Sequence, residues 1–242
     1  MQFERKHHQL IATALKAFDG ALLRDNACYF AGGTALCLLH GEYRESNDID
    51  FMISDLAGYR SLRHLMTGAK GFGSLAKTRG VVRQIGELRA DQYGIRGKIT
   101  VDGVPIKLEI VLEGRIKFDV PDSKRKICGI ATLSELDLAV EKMLANSDRW
   151  LDAAAFSRDI IDLAMMGSGR GLLKGAIEKA EAAYGPSIKR DLERSIDRVL
   201  NLKGWLDRCM DAMAISEPKA SVLQRIVKLG RDAGVTAKLR TP

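Results

Sequence analysis

A glycine pair set ahead of a strand with an acid at every second position constrains this chain more than any other feature. Ala31-Gly32-Gly33-Thr34-Ala35-Leu36 opens a short apolar helix, and Ser46-Asn47-Asp48-Ile49-Asp50-Phe51 follows it. A strand sends alternate side chains to opposite faces, so Asp48 and Asp50 project together while Ile49 and Phe51 point into a core. The segment therefore asks for a sheet with one wet face and a helix packed beside it.

Those residue types carry a chemistry. Glycine lets backbone approach a phosphate closely, and the first turn of a helix over Thr34–His40 offers free N–H groups and the positive dipole end. Thr34 can cap that helix or hydrogen-bond a phosphate oxygen. Two solvent-facing carboxylates repel unless a cation lies between them, and a hard divalent ion such as Mg²⁺, with Mn²⁺ as the alternative, relieves that repulsion while bridging to phosphates. Glu109 lies on a second strand with Lys107 on the same face. If the two strands are neighbours, Glu109 becomes a third acid beside Asp48 and Asp50, enough for two metals. Each element alone is weak: the acids can be solvated turn residues, the glycines a simple turn, and Glu109 an ordinary strand residue facing water. Order and spacing together make the pattern informative.

The remaining sequence organises into two parts, expected at 1–130 and 131–242. A helix is expected over residues 5–25, with Ile11, Leu15, Phe18 and Leu22 on one stripe. A strand is expected at Cys28–Ala31, another at Asp48–Ile53, and a helix at Asp55–Thr67. Between Val81 and Val120 the period becomes two, with Val104, Ile106, Leu108 and Ile110 alternating with their neighbours and Asp102-Gly103 marking a hairpin. Pro105 has no N–H to donate, so its strand should begin at an edge or a bulge. From Ser134 the pattern is helical, broken at Gly167-Ser168-Gly169 and Gly185-Pro186.

An apolar fraction of 46% and a charged fraction of 29% are ordinary for a globular chain. No apolar run approaches a membrane span, and the amphipathic start argues against a signal peptide. The four cysteines form no C-x-x-C pair and read as buried free thiols of a cytoplasmic protein. The net charge is +7, and the stretch from Ser187 onward holds 12 Lys and Arg against 7 Asp and Glu. That excess suits a polyanion such as RNA, or simply solvated helices.

Read together, Gly32-Gly33-Thr34-Ala35-Leu36 and Arg44 through Asp50 resemble the first signature of the polymerase-β-like nucleotidyltransferases, and more narrowly of the AbiEii/AbiGii toxin branch. Lys107-Leu108-Glu109 is similar to the second motif. Glu141-Lys142-Met143-Leu144-Ala145, with Arg149, is similar to the third, and Arg158-Asp159-Ile160-Ile161-Asp162-Leu163 to the fourth. The resemblance implies an α/β (α+β) chain: an N-terminal nucleotidyltransferase-like mixed sheet flanked by helices, then a helical C-terminal domain. It implies Asp48, Asp50 and Glu109 as catalytic metal ligands, with Lys142 and Asp159 completing the catalytic set. Gly32, Gly33, Thr34, Ser46, Lys107 and Arg158 would bind the nucleotide. The implied reaction moves an NMP from an NTP to a hydroxyl, with RNA, especially tRNA, as acceptor and an antitoxin as partner, in a toxin–antitoxin or phage-defence system. A protein or antibiotic-like acceptor, or a non-catalytic nucleotide- or RNA-binding module, are the alternatives. Two departures stand out. Glu109 replaces the more usual Asp, and Trp150–Phe156 lengthens the spacing between the third and fourth motifs. The second leaves open whether Lys142 and Asp159 face the pocket of Asp48 and Asp50.

Overall fold

The computed structural model describes residues 3–68, 70–78, 80–236 and 238. The chain divides into two compact units, one of residues 1–42 and 46–134, the other of Tyr43–Glu45 with 135–242. No helix among the described residues is long and apolar enough to cross a membrane.

The first unit is built on a five-stranded mixed sheet. Its strands are β1 (Cys28–Ala31), β2 (Ile49–Ile53), β3 (Arg83–Ala90), β4 (Gly94–Val101) and β5 (Val104–Leu112), in the spatial order β1-β2-β5-β4-β3. Only the β2–β5 pair is parallel. Ile49, Phe51 and Ile53 are fully buried, and the Phe51 ring meets Phe18 edge-on at 6.0 Å and Phe30 at 5.8 Å. Asp50 and Met52 occupy the opposite face, which fixes the register because a one-residue slip would bury the acid. Asp102 and Gly103 both take left-handed backbone between β4 and β5, as the turn demands. Pro105 pairs with Thr100 of β4, whereas β2 pairs only from Leu108 onward, so at Pro105 the strand has one bare side. The missing N–H therefore breaks no ladder bond there.

Helices α1 (Lys6–Ala17), α2 (Gly20–Asp25), α3 (Gly32–Leu39) and α4 (Leu56–Met66) accompany the sheet. The single helix expected over residues 5–25 is two. Phe18 is extended, and the Asp19 carboxylate accepts from Ala21 and Leu22 N–H at 3.0 and 3.1 Å, restarting the helix as an N-cap. Helix α3 likewise begins at Gly32 rather than Thr34, so both glycines lie in its first turn. A small hairpin of β6 (Lys126–Ile127) and β7 (Ile130–Ala131) has strands too short for any period to show in the sequence.

The second unit is helical: α5 (Glu135–Arg149), α6 (Arg158–Met166), α7 (Arg170–Tyr184), α8 (Ser187–Asn201), α9 (Trp205–Ala212) and α10 (Lys219–Ala233). Tyr43–Glu45 joins it through backbone bonds, Glu45 N–H to Met213 O and Ser216 N–H to Tyr43 O, each 2.9 Å. Within it lies a buried set of charges. Asp162 accepts from Arg44 Nε at 2.7 Å, Arg44 Nη2 at 2.9 Å and Tyr43 Oη at 2.7 Å, and pairs with Lys142 Nζ at 2.6 Å. Lys142 also donates to Asp159 at 3.1 Å, and Arg149 clamps Asp159 from Nε at 2.7 Å and Nη2 at 2.8 Å.

Burial works against an ionised Asp162, but the charges of Arg44 and Lys142 outweigh it and hold the carboxyl well below its ordinary range. Asp159 is lowered too, because Lys142 and Arg149 together overcome its burial. Unfolded aspartates take up protons below about pH 4, while these two stay ionised in the fold. Their contribution is therefore complete above that pH and is lost as pH falls toward the folded values. Substituting Asp162→Asn takes the buried carboxylate from Arg44 and leaves Lys142 with Asp159 alone, and should cost about 3–5 kcal/mol at neutral pH. It should also flatten the loss of stability below about pH 4, as read by urea unfolding across pH 3–7.

Candidate active site

Two of the expected acids, Asp50 and Glu109, share one sheet face. The strand expected from Asp48 begins at Ile49, so Asp48 lies just ahead of β2, and Asp50 is within it. Asp50 stands directly opposite Glu109 of β5 in the parallel register and opposite Ala31 of β1. All three acids are half-buried.

Lys107 sits among them. Its Nζ is 3.0 Å from Glu109 Oε1, and Arg96 Nε of β4 approaches the same oxygen at 3.7 Å. Partial burial pulls the Lys107 pKa down. The hydrogen bond and charge of Glu109, then the charges of Asp48 and Asp50, more than reverse this, so the ammonium stays protonated above the ordinary lysine value. Glu109 is thus turned toward two cations. Among the described residues, no three His, Cys, Asp or Glu side chains converge as a ready metal centre.

Gly32 shows why glycine is needed beside these acids. Its φ is +73°, and a Cβ built there would stand 2.5 Å from Asp50 Oδ2. Any side chain would strain the backbone and push the carboxylate aside. Gly32 and Gly33 lie in the first turn of α3, where backbone N–H groups have no partner within the helix.

The loop carrying Asp48 is tied down by buried polar groups. Thr34, fully buried, donates from Oγ1 to Asp48 O at 2.6 Å and shares a hydrogen bond with Ser46 Oγ at 2.8 Å. Its hydroxyl holds the loop. His8 of α1, also fully buried, accepts from Ser46 N–H through Nε2 at 3.3 Å and bonds Glu42 through Nδ1 at 2.7 Å. With Nε2 accepting from Ser46, Nδ1 is the nitrogen that donates to Glu42. Glu42 is half-buried. Burial raises its pKa, but N–H groups of Glu4 and Arg5 and the His8 contact bring it below the ordinary value. His7 bonds Asn47 O at 2.8 Å. Sequence reasoning missed His7, His8 and Glu42, since His-His near a helix start has no spacing that points to a loop more than thirty residues away.

Among the residues expected from the third and fourth motifs, Lys142, Arg149, Asp159 and Asp162 come together within the second unit despite the extra Trp150–Phe156. That stretch folds into a 3₁₀ turn at Ala153–Ala155, followed by left-handed Phe156 and Ser157. Lys142 is fully engaged by Asp159 and Asp162, and its pKa lies above the ordinary value because those two charges outweigh its burial. Arg158 opens α6 half-buried.

The chain shares its fold with two solved structures from Helicobacter pylori. JHP933 aligns with a TM-score of 0.56 at 17% identity, over 96% of this chain and 94% of the other. A candidate nucleotidyltransferase from H. pylori aligns with a TM-score of 0.51 at 16% identity, over 94% of this chain and 93% of the other. No curated protein matches the sequence. The family model described as "Nucleotidyl transferase AbiEii toxin, Type IV TA system" matches residues 14–225. The chain belongs to the AbiEii family of nucleotidyltransferase toxins of type IV toxin–antitoxin systems.

Proposed function

We propose that the enzyme transfers an NMP from an NTP to a hydroxyl of RNA, with tRNA the foremost acceptor, at the face formed by Asp48, Asp50 and Glu109. The observation that carries this reading is the Asp50–Glu109 register pair with the Asp50 carboxylate seated against Gly32. The acceptor hydroxyl gives up its proton to solvent as its oxygen bonds to the α-phosphorus, the bond to the bridging oxygen of the β-phosphate breaks, and pyrophosphate leaves.

The donor set is all oxygen, which suits Mg²⁺ or Mn²⁺. Magnesium commonly takes one or two carboxylates and completes its shell with substrate phosphates and water. Asp48 and Asp50 would hold it, with Glu109 as the third acid one strand away; the ion, when bound, would neutralise triphosphate oxygens. The first-turn N–H groups at Gly32 and Gly33, with Ser46 beside them, receive the phosphates. Lys107 keeps the acids from repelling one another and offers a cation to the leaving pyrophosphate. Asp159 has both oxygens engaged and a lowered pKa, which makes it a poor base. Its part is to keep Lys142 charged and oriented, and Arg158 is the cation of that motif open to a phosphate. As a family toxin, the chain would work in the cytoplasm beside a cognate antitoxin.

Incubation with total RNA, each labelled NTP and Mg²⁺ tests the acceptor: label on RNA is expected, and label on protein or small molecules alone overturns it. Asp50→Ala should lower transfer by about 10³-fold or more, the worth of several kcal/mol of charge stabilisation. Gly32→Ala should cost about 10²-fold by displacing the carboxylate. Treatment with EDTA should abolish transfer, and Mg²⁺ or Mn²⁺ should restore it.

A further inference from the structure

The sheet of the first unit carries charge in an order that metal and triphosphate binding leave unexplained. Register places Asp50 beside Glu109, Glu109 beside Arg96, and Arg96 beside Arg89. One row across β2, β5, β4 and β3 therefore runs acid, acid, base, base. The neighbouring row sets Lys107 beside Lys98, and the next on this face sets Thr100 beside Arg83.

Like charges directly opposite each other weaken a ladder, and besides the acid pair Asp50–Glu109 this face has two cationic ones, Arg89 with Arg96 and Lys98 with Lys107. Nearby acids offset them unevenly. Glu109 serves Lys107 and Arg96, and Asp91 reaches Arg96 at 3.3 Å. Glu87 meets Arg89 only at 3.8 Å, with both side chains about four-fifths exposed, a pair of little worth in water. Among the described residues, Arg83 and Lys98 make no ion pair, and both are exposed. The apolar side chains of the face are scattered: Ile85 at 37% exposure, exposed Pro105 and half-buried Val111, with Tyr93 in the turn between β3 and β4. A protein partner would need an apolar centre there; a phosphate backbone needs cations without one.

We propose that the β3–β4–β5 face is the surface on which the acceptor RNA lies, its phosphates on Arg83, Arg89, Arg96 and Lys98, with the row from Arg89 to Asp50 leading the strand to the reacting hydroxyl. The proposal rests on the RNA-acceptor reading above. Three strand steps of about 4.8 Å span about 14 Å, room for about four phosphates at the ~3.4 Å axial spacing of a nucleic-acid strand. The charge order also gives direction: cations hold the backbone, and the carboxylates take over where the reaction occurs.

The test is the triple variant R83Q/R89Q/K98Q, which touches none of the acids, Lys107 or the α3 glycines. NTP affinity should be unchanged. RNA affinity should fall about tenfold or more, and the slope of log K against log salt should flatten by about 2 to 3. In the labelling reaction the KM for RNA should rise with kcat preserved. A second variant, K189Q/R194Q/K203Q on the helical unit, should leave the slope as it is. Wild-type labelling of RNA with an unaltered slope in the first variant, or a slope lost only in the second, overturns this surface and leaves the acceptor reading intact. Failure of the wild type to label RNA while the first variant still loses RNA affinity refutes the acceptor reading and upholds the surface.

Discussion

A fully buried aspartate is the demand around which the helical unit is arranged. Asp162 has no exposure, and an uncompensated carboxylate there would be prohibitive. Its answer comes from two distant parts of the chain: Lys142 on α5, and Tyr43 with Arg44 from the segment preceding β2. Asp159, one turn earlier on α6, shares Lys142 and is clamped by Arg149. Residues that look in sequence like separate motifs are thereby one electrostatic unit, in which Lys142 is shared by Asp159 and Asp162.

That explains what the sequence could and could not disclose. The alternation in Ile49–Ile53 and Val104–Val111, the Asp102-Gly103 turn and the glycine breaks at 167 and 185 are local, and each sets its own backbone. These elements stand where their patterns place them, because propensity, period and turn chemistry agree. The break at Phe18-Asp19 was hidden because an apolar stripe crosses it, and capping by Asp19 outweighed the stripe. The β6–β7 hairpin was hidden by brevity.

The site divides in the same way. That Asp50 and Glu109 share a face was legible, because strand period sets each side chain's direction and the two strands are neighbours. Their surroundings were not: nothing local says that Lys107 and Arg96 turn toward Glu109, that Thr34 spends its hydroxyl on Asp48 O, or that His8 and Glu42 brace Ser46. Those are long-range contacts, chosen by packing. The thiols follow burial too, with Cys28 raised and Cys209 pushed up to about 11, which leaves them unreactive.

Because Tyr43–Glu45 belongs to the helical unit, a single cut near residue 134 separates neither part cleanly. The front piece keeps a guanidinium whose carboxylate is gone, and the back piece keeps Asp162 without Arg44. The gene is therefore not a tandem of two interchangeable modules. A recombination that swapped the helical half would have to carry along a three-residue patch lying inside the other half, immediately ahead of the acids. Inheritance as one block follows from a handful of hydrogen bonds.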